Sequence, residues 1–484
     1  MVMTNATRRT AVLFAFIPIL GLYLIYTFRL HYFIPAIATW PTQRQIVAEF
    51  STYMRHRMFP WTKKQDALKQ AMENGVRTPF RRHIVAVGDM HGDFGNARKV
   101  LQFAGVVDDM GDWTGDVDFF VQTGDIIDRG DDTIKLFTWM DQLRTQAHAT
   151  GATVLNLMGN HEWMNAIGDW RYVYPSELKT FGTIAARQRM LSTGRIGTSW
   201  ARNYTTAARL PLHPSIGPPN SPYPPQLSVH FQKESETDPR EVLGPLGEVL
   251  EERSPDDHTE SVGKAKAKRK INTPRRKGKI HYEDATHLRD PLSHSAISFV
   301  HGGLSPTFSN LAPFPSKINE LAHSLLFKLQ HRKQPRVSPP NPYPGLPLSS
   351  TYEEQELYDG NGPLWYRGWA MMDEETVCRD VDAVLRKTGT KRMVMGHTPD
   401  FHNIVSRCDG KIIIIDTGIS HAYGGVLSAL SIHYTLAPIG EDEDKKWLET
   451  EIVSALYADR REVIVQDERE IVGDFWSFEH EDLD

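Results

Sequence analysis

The stretch TVLNLMGNHEWMN, Thr153 to Asn165, decides how the rest of the chain is read. Thr153, Val154, Leu155 and Leu157 are strand formers, and the run stops at Gly159. An amide, an imidazole and a carboxylate follow at once: Asn160, His161 and Glu162. A tight turn would favour Asn-Gly here, not Asn-His-Glu. Asn160 could cap a helix, but a cap leaves His161 without a purpose.

Other apolar runs end in the same way. HIVAV (His83–Val87) leads into GDMHGD, with Asp89 and His91. VDFFVQ (Val117–Gln122) leads into GDIIDRG, with Asp125, Asp128 and Arg129. AISFV (Ala296–Val300) ends in His301-Gly-Gly, and RMVMG (Arg392–Gly396) in His397. KIIIID and VLSALSIHY are further strand patterns. Between the first runs lie helical patterns, FGNARKVLQFAG and DTIKLFTWMDQLRTQAHATG, each closed by glycine. Strand alternating with helix predicts an α/β sheet, and such sheets bind ligands at the carboxyl ends of their strands.

Asp, His and Asn at five strand ends predict a centre for two divalent metal ions, Mn2+, Zn2+ or Fe2+, which these donors suit. A carboxylate bridging ions roughly 3.5–4 Å apart lets them share a hydroxide that attacks phosphorus in line. Arg129 offers a bidentate fork to phosphate oxygens. His161 can protonate the leaving oxygen, and Asp128 can orient its imidazole. Asp93 and Glu162 lie beside ligands and are read as supports or caps.

With the motifs Gly88–Gly92, Gly124–Gly130, Gly159–Glu162 and His301–Gly303, the chain closely resembles the calcineurin-like metallophosphoesterases, in the phosphoprotein-phosphatase branch. NHEWMNAIGDWRYV, GPLWYRGWA, RMVMGHTP and IDTGISHAYGGVLSAL narrow the resemblance to the Shewanella-like phosphatases. The resemblance implies a four-layered α/β/β/α sandwich. It implies one metal on Asp89, His91 and a bridging Asp125, and a second on Asp125, Asn160, His301 and His397. Arg129, His161 and Arg367 would meet the phosphate, with Asp128 behind His161. One departure stands out: AYGG occupies the place of the tail motif that binds peptide toxins and substrates in ordinary Ser/Thr phosphatases. The expected reaction is hydrolysis of phosphate monoesters, in phosphorylated protein or peptide. The alternative is a vacuolar endopolyphosphatase cutting the phosphoanhydride bonds of polyphosphate.

The remaining sequence predicts organisation. With 40% hydrophobic and 24% charged residues, the 484-residue chain has ordinary globular composition, and its net charge of −5 offers no global attraction to nucleic acid. Residues 11–28 carry no charge and nearly suffice to span a ~30 Å hydrocarbon core. Residues 1–40 are therefore expected to hold a single transmembrane anchor, with a cleaved signal peptide as the rival. Either directs the catalytic domain to a lumen of the vacuole or secretory pathway, or to the outside. Residues 41–80 are expected to form a membrane-proximal helical segment. Segments 81–212 and 291–460 form the predicted catalytic domain, interrupted by a disordered charged insert at 213–290 and followed by a frayed acidic tail at 461–484. Two cysteines, Cys378 and Cys408, allow either one disulfide or two free thiols.

Overall fold

The computed structural model describes residues 78–225, 290–335, 344–440 and 445–475. The expected anchor at 11–28, the helical segment up to residue 77 and most of the charged insert lie outside them. Among the described residues no helix is long and apolar enough to cross a membrane, so the transmembrane part of the expected fold is without support there.

Among the described residues, twelve strands form two sheets. Phe80–Val87 (β1), Phe119–Gln122 (β2), Thr153–Leu157 (β3) and Tyr204–Thr205 (β4) run parallel. Ser428–Ile439 (β10), Lys446–Tyr457 (β11) and Arg461–Val472 (β12) extend this sheet antiparallel, in the order β12-β11-β10-β1-β2-β3-β4. The second sheet has the order β5-β6-β7-β9-β8, from Ala207–Pro211, Ala296–Val300, Arg392–Met395, Ile412–Ile414 and Val405–Arg407.

The period of two along each strand builds the layers. Ile84, Ala86, Phe119 and Val121 of the first sheet pack against Ile297, Phe299, Val394 and Ile413 of the second. Val85, Val87, Phe120, Met393, Met395 and Ile414 belong to another cluster, shared with the helices. Helix Thr133–Ala149 buries Leu136, Phe137, Met140, Leu143 and Ala147, a helical stripe, and packs on β3. Helix Phe94–Phe103 begins at Asp93, whose carboxylate accepts from the Asn96 amide, so Asp93 is a cap. Helices Ser316–His331 and Glu374–Thr388 join β6 to β7.

Two boundaries move. The start of the supposed disordered insert is ordered: Tyr223 pairs with Phe314 through two backbone hydrogen bonds of 2.7 and 2.8 Å. Arg461–Val472, read as part of a frayed tail, is the edge strand β12. Val465 and Ile471 face the core, while the charges that suggested a tail line a strand edge. Cys378 and Cys408 form a disulfide with Cα atoms 5.2 Å apart, tying helix Glu374–Thr388 to the turn after β8.

Candidate active site

The parallel strands β1, β2, β3, β6 and β7 end on one side of the sandwich, and each delivers its expected residue there. Asp125 sits in the middle. Its Oδ1 accepts the His161 amide at 2.9 Å, at the start of helix Asn160–Ile167. That leaves Oδ2 facing His301 Nε2 at 3.3 Å, His91 Nε2 at 3.7 Å and His161 Nε2 at 3.8 Å. Asp89 lies 3.8 Å from His91 Nε2, and Asn160 Oδ1 lies 2.8 Å from His301 Nε2. Asp125, His301 and His397 group closely enough to hold one ion. Asp125 also groups with His91 and His161, so His161 faces the same space as the expected ligands. Arg367 donates to the His397 carbonyl at 2.7 Å and to Thr398 at 3.0 Å, which brings it to the rim.

The donor chemistry fits divalent cations. The Nδ1 atoms of His91 and His301 each meet a backbone carbonyl at 3.0 Å, Ile127 and Thr123. A proton on Nδ1 leaves the Nε2 lone pair free to ligate. Burial, then the neighbouring His161, drives His91 down to about 3, so its ring is neutral. Burial, His301 and Arg367 likewise hold His397 low, and its buried Nε2 has no hydrogen-bond partner among the described residues. The carboxyls are crowded: burial and the charges of Asp416 and Asp125 push Asp89 well above the usual range. Cations between these groups would relieve that repulsion and keep the carboxylates ionised.

A second set orients His161. Its Nδ1 lies 2.7 Å from Asp128 Oδ2. Burial lowers the imidazole pKa, but Asp125 and Asp128 outweigh it and raise it overall. Asp128 Oδ1 accepts from Asn165 at 3.0 Å. Asn165 in turn accepts from the fully buried Arg187 at 2.7 Å, and Arg187 pairs with Glu177 at 3.2 Å. Arg129 stands beside this set with its guanidinium between the rings of Tyr172 and Tyr423.

The loops are held under constraint. His91, Asp125, Asp128, Arg129 and His397 all have positive φ, between 40° and 70°. Side chains rarely adopt that region, and where they do the surroundings must enforce it. Glu162 does much of this. Its carboxylate accepts from the amides of Asp125 (2.8 Å), Ile126 (2.9 Å), Ile127 (3.3 Å) and Gly159 (2.8 Å). The Gly92 and Gly130 backbones touch: a Cβ on Gly92 would lie 2.6 Å from the Gly130 carbonyl carbon.

Sequence reasoning missed several members. Asp416 follows β9 as a further strand end, buried beside Asp89, and burial pushes it up to about 6. The terminal Asp of KIIIID was the available signal. Tyr172, Tyr423, Asn165 and Arg187 had none, because their contacts are long-range.

A family model described as calcineurin-like phosphoesterase matches residues 82–224. An uncharacterised protein of Schizosaccharomyces pombe is 32% identical over 351 residues, covering 72% of this chain and 76% of that one. The chain belongs to the calcineurin-like phosphoesterases. Shewanella-like protein phosphatase 2 of Arabidopsis thaliana is 27% identical over 350 residues, covering 71% of this chain and 74% of its own. A cold-active protein-tyrosine phosphatase of a psychrophilic Shewanella superposes with a TM-score of 0.49, at 20% identity over 79% of this chain and 80% of that one. As a calcineurin-like phosphoesterase with Shewanella-like relatives, the protein is a metal-dependent hydrolase of phosphate esters.

Proposed function

We propose that the protein hydrolyses phosphate monoesters, on phosphorylated protein or peptide, at a centre of two divalent ions. Asp89, His91 and Asp125 would hold one, and Asp125, Asn160, His301 and His397 the other. The observation that carries this is the Asp125 carboxylate, placed between the histidines of both groups. When bound, such ions activate water and neutralise charge on the phosphoryl oxygens.

The chain's own residues do the rest. Arg129 and Arg367 bind and align the phosphate. His161 carries the proton needed by the leaving oxygen, and Asp128 fixes that ring and keeps it protonated. Glu162 holds the Asp125 loop at its working geometry. The apolar run 11–28 would anchor the chain with this domain in a lumen, and the Cys378–Cys408 bridge favours an oxidising compartment of that kind.

The test is a parallel assay of the full chain with Mn2+ or Zn2+. The substrates are 4-nitrophenyl phosphate, phosphopeptides and long-chain polyphosphate. Turnover of phosphopeptide and aryl phosphate is expected. Turnover of polyphosphate alone would replace this reading with the polyphosphatase one.

A further inference from the structure

We propose that Tyr172 and Tyr423 are positioning residues, forming an aromatic clamp that aims the Arg129 guanidinium at the phosphate. The inference rests on the reading that Arg129 binds phosphate.

Arginines held for structure in this protein spend their donors on protein acceptors. Arg392 gives its to Glu451, Asp467 and the Gly410 carbonyl. Arg187 also lies over two rings, Trp170 at 4.3 Å and Phe181 at 5.4 Å, but it gives its donors to Glu177 and Asn165. Arg129 has the rings without the acceptors. Its guanidinium carbon lies 4.4 Å from the Tyr172 ring centroid and 4.9 Å from that of Tyr423. Among the described residues no carboxylate lies within ion-pair distance of it, and its buried Nε has no hydrogen-bond partner. A carboxylate would steady the side chain but compete with substrate for the fork. Ring faces attract the cation and leave its N–H edges for phosphate.

The clamp also registers the arginine against the rest of the site. Tyr172 follows the helix that bears His161, and the two rings lie 5.0 Å apart. The Tyr172 carbonyl accepts the Arg129 amide at 3.2 Å, at a backbone with φ of 62°. Tyr423 comes from the AYGG segment after β9. Its ring is 5.3 Å from His91, and its hydroxyl is 3.5 Å from His91 Nε2. One jaw therefore stands on the acid side and the other on the metal side. A guanidinium held between them cannot swing without breaking contact with one. This gives the AYGG segment a task inside the site.

The test measures inorganic phosphate as a competitive inhibitor of 4-nitrophenyl phosphate turnover by the Mn2+-loaded full chain. Tyr172→Leu and Tyr423→Leu should each weaken phosphate by roughly 2- to 30-fold, the span of a cation–π contact. They should raise KM more than they lower kcat. Phe at either position should restore most of the lost affinity, because it returns the ring face. In an Arg129→Ala background the Leu substitutions should cost nothing further. Unchanged phosphate affinity in both Leu variants, or equal losses with and without Arg129, overturns the clamp. Phosphate affinity untouched by Arg129→Ala itself overturns the phosphate role of Arg129, and the clamp with it. Should Leu unfold the protein, pentafluorophenylalanine at each position keeps the shape and reverses the ring's charge distribution. Affinity equal to that of the Phe variants would then reject the clamp.

Discussion

Two clusters of buried charge occupy opposite ends of the same sandwich. At the starts of β1 and β7, Glu451 is fully buried against Arg392 (2.9 Å) and Lys391 (2.9 Å), while Glu449 pairs with Arg469 and Ser295. Burial alone would raise Glu451, yet Lys391 and Arg392 hold it below the usual value. Every acid there has a basic side chain beside it. At the other end no lysine or arginine among the described residues pairs with Asp89, Asp125 or Asp416. Burial with mutual repulsion lifts Asp89 and Asp416, and Asp125 alone is lowered, its burial outweighed by His301 and His161. The first cluster is balanced by the chain itself. The second is built for cations that the chain does not encode, and that imbalance distinguishes a site from a scaffold.

The contrast can be broken by substitution. Asp125→Asn should cost roughly 10^3-fold or more in turnover, the scale of losing a transition-state charge stabiliser, together with ions from both groups. Metal analysis alongside the aryl-phosphate assay checks it, and a variant retaining both ions and wild-type turnover removes the shared-ligand reading. Arg392→Met should cost about 3 kcal/mol of stability in urea titrations, because it removes one of the two basic partners of a buried carboxylate and leaves Lys391 alone to balance it. Adding Glu451→Leu should recover much of that loss, and a single variant as stable as wild type would show the cluster to be slack.

Smaller effects sharpen the comparison. Asp128→Asn should lower kcat by about 10^2-fold. Asp125 and Asp128 raise His161, so removing Asp128 lowers its pKa, and the alkaline limb of the kcat profile should move to lower pH. An unmoved limb would take His161 out of the acid role. The two clusters should also respond to pH with opposite sign. Glu449 and Glu451 are depressed, so their stabilisation is present above the ordinary value of 4.5 and fades as pH falls through the folded values. Asp416 at about 6 and Glu162 at about 7 are raised, chiefly by burial. Their contribution is full below the ordinary carboxylate range and is lost as pH rises through about 6 and 7. Chelator-treated protein should therefore be most stable near the ordinary carboxylate values, at about pH 4–5, and Mn2+ should move that maximum upward. Urea melts from about pH 3 to 8 test this, and a maximum indifferent to Mn2+ would contradict the cation fit.

Legibility in the sequence follows the range of the contacts. Asp89, His91, Asp125, Asn160, His301 and His397 could be found because each stands beside or close after a glycine at the end of an apolar run. β11 and β12 were hidden because Glu449 and Glu451 point into the core, where a strand pattern should show apolar residues. β12 wears its charges on an edge, which imitates a solvated tail. The four-amide grip of Glu162 is likewise silent in sequence, since three of its donors lie more than thirty residues upstream. Tyr172 and Tyr423 meet over Arg129 only after both sheets have assembled.

The contact between Gly92 and Gly130 has a consequence for redesign. One glycine belongs to the loop of Asp89 and His91, the other to the loop of Asp125, Asp128 and Arg129. With bare backbone against bare backbone, the two loops behave as a single casting. A methyl group at either position would act as a wedge, changing ion spacing and phosphate seat in one stroke. Anyone wishing to retune the metals or widen the substrate pocket separately will have to cut elsewhere, along the tyrosine rim.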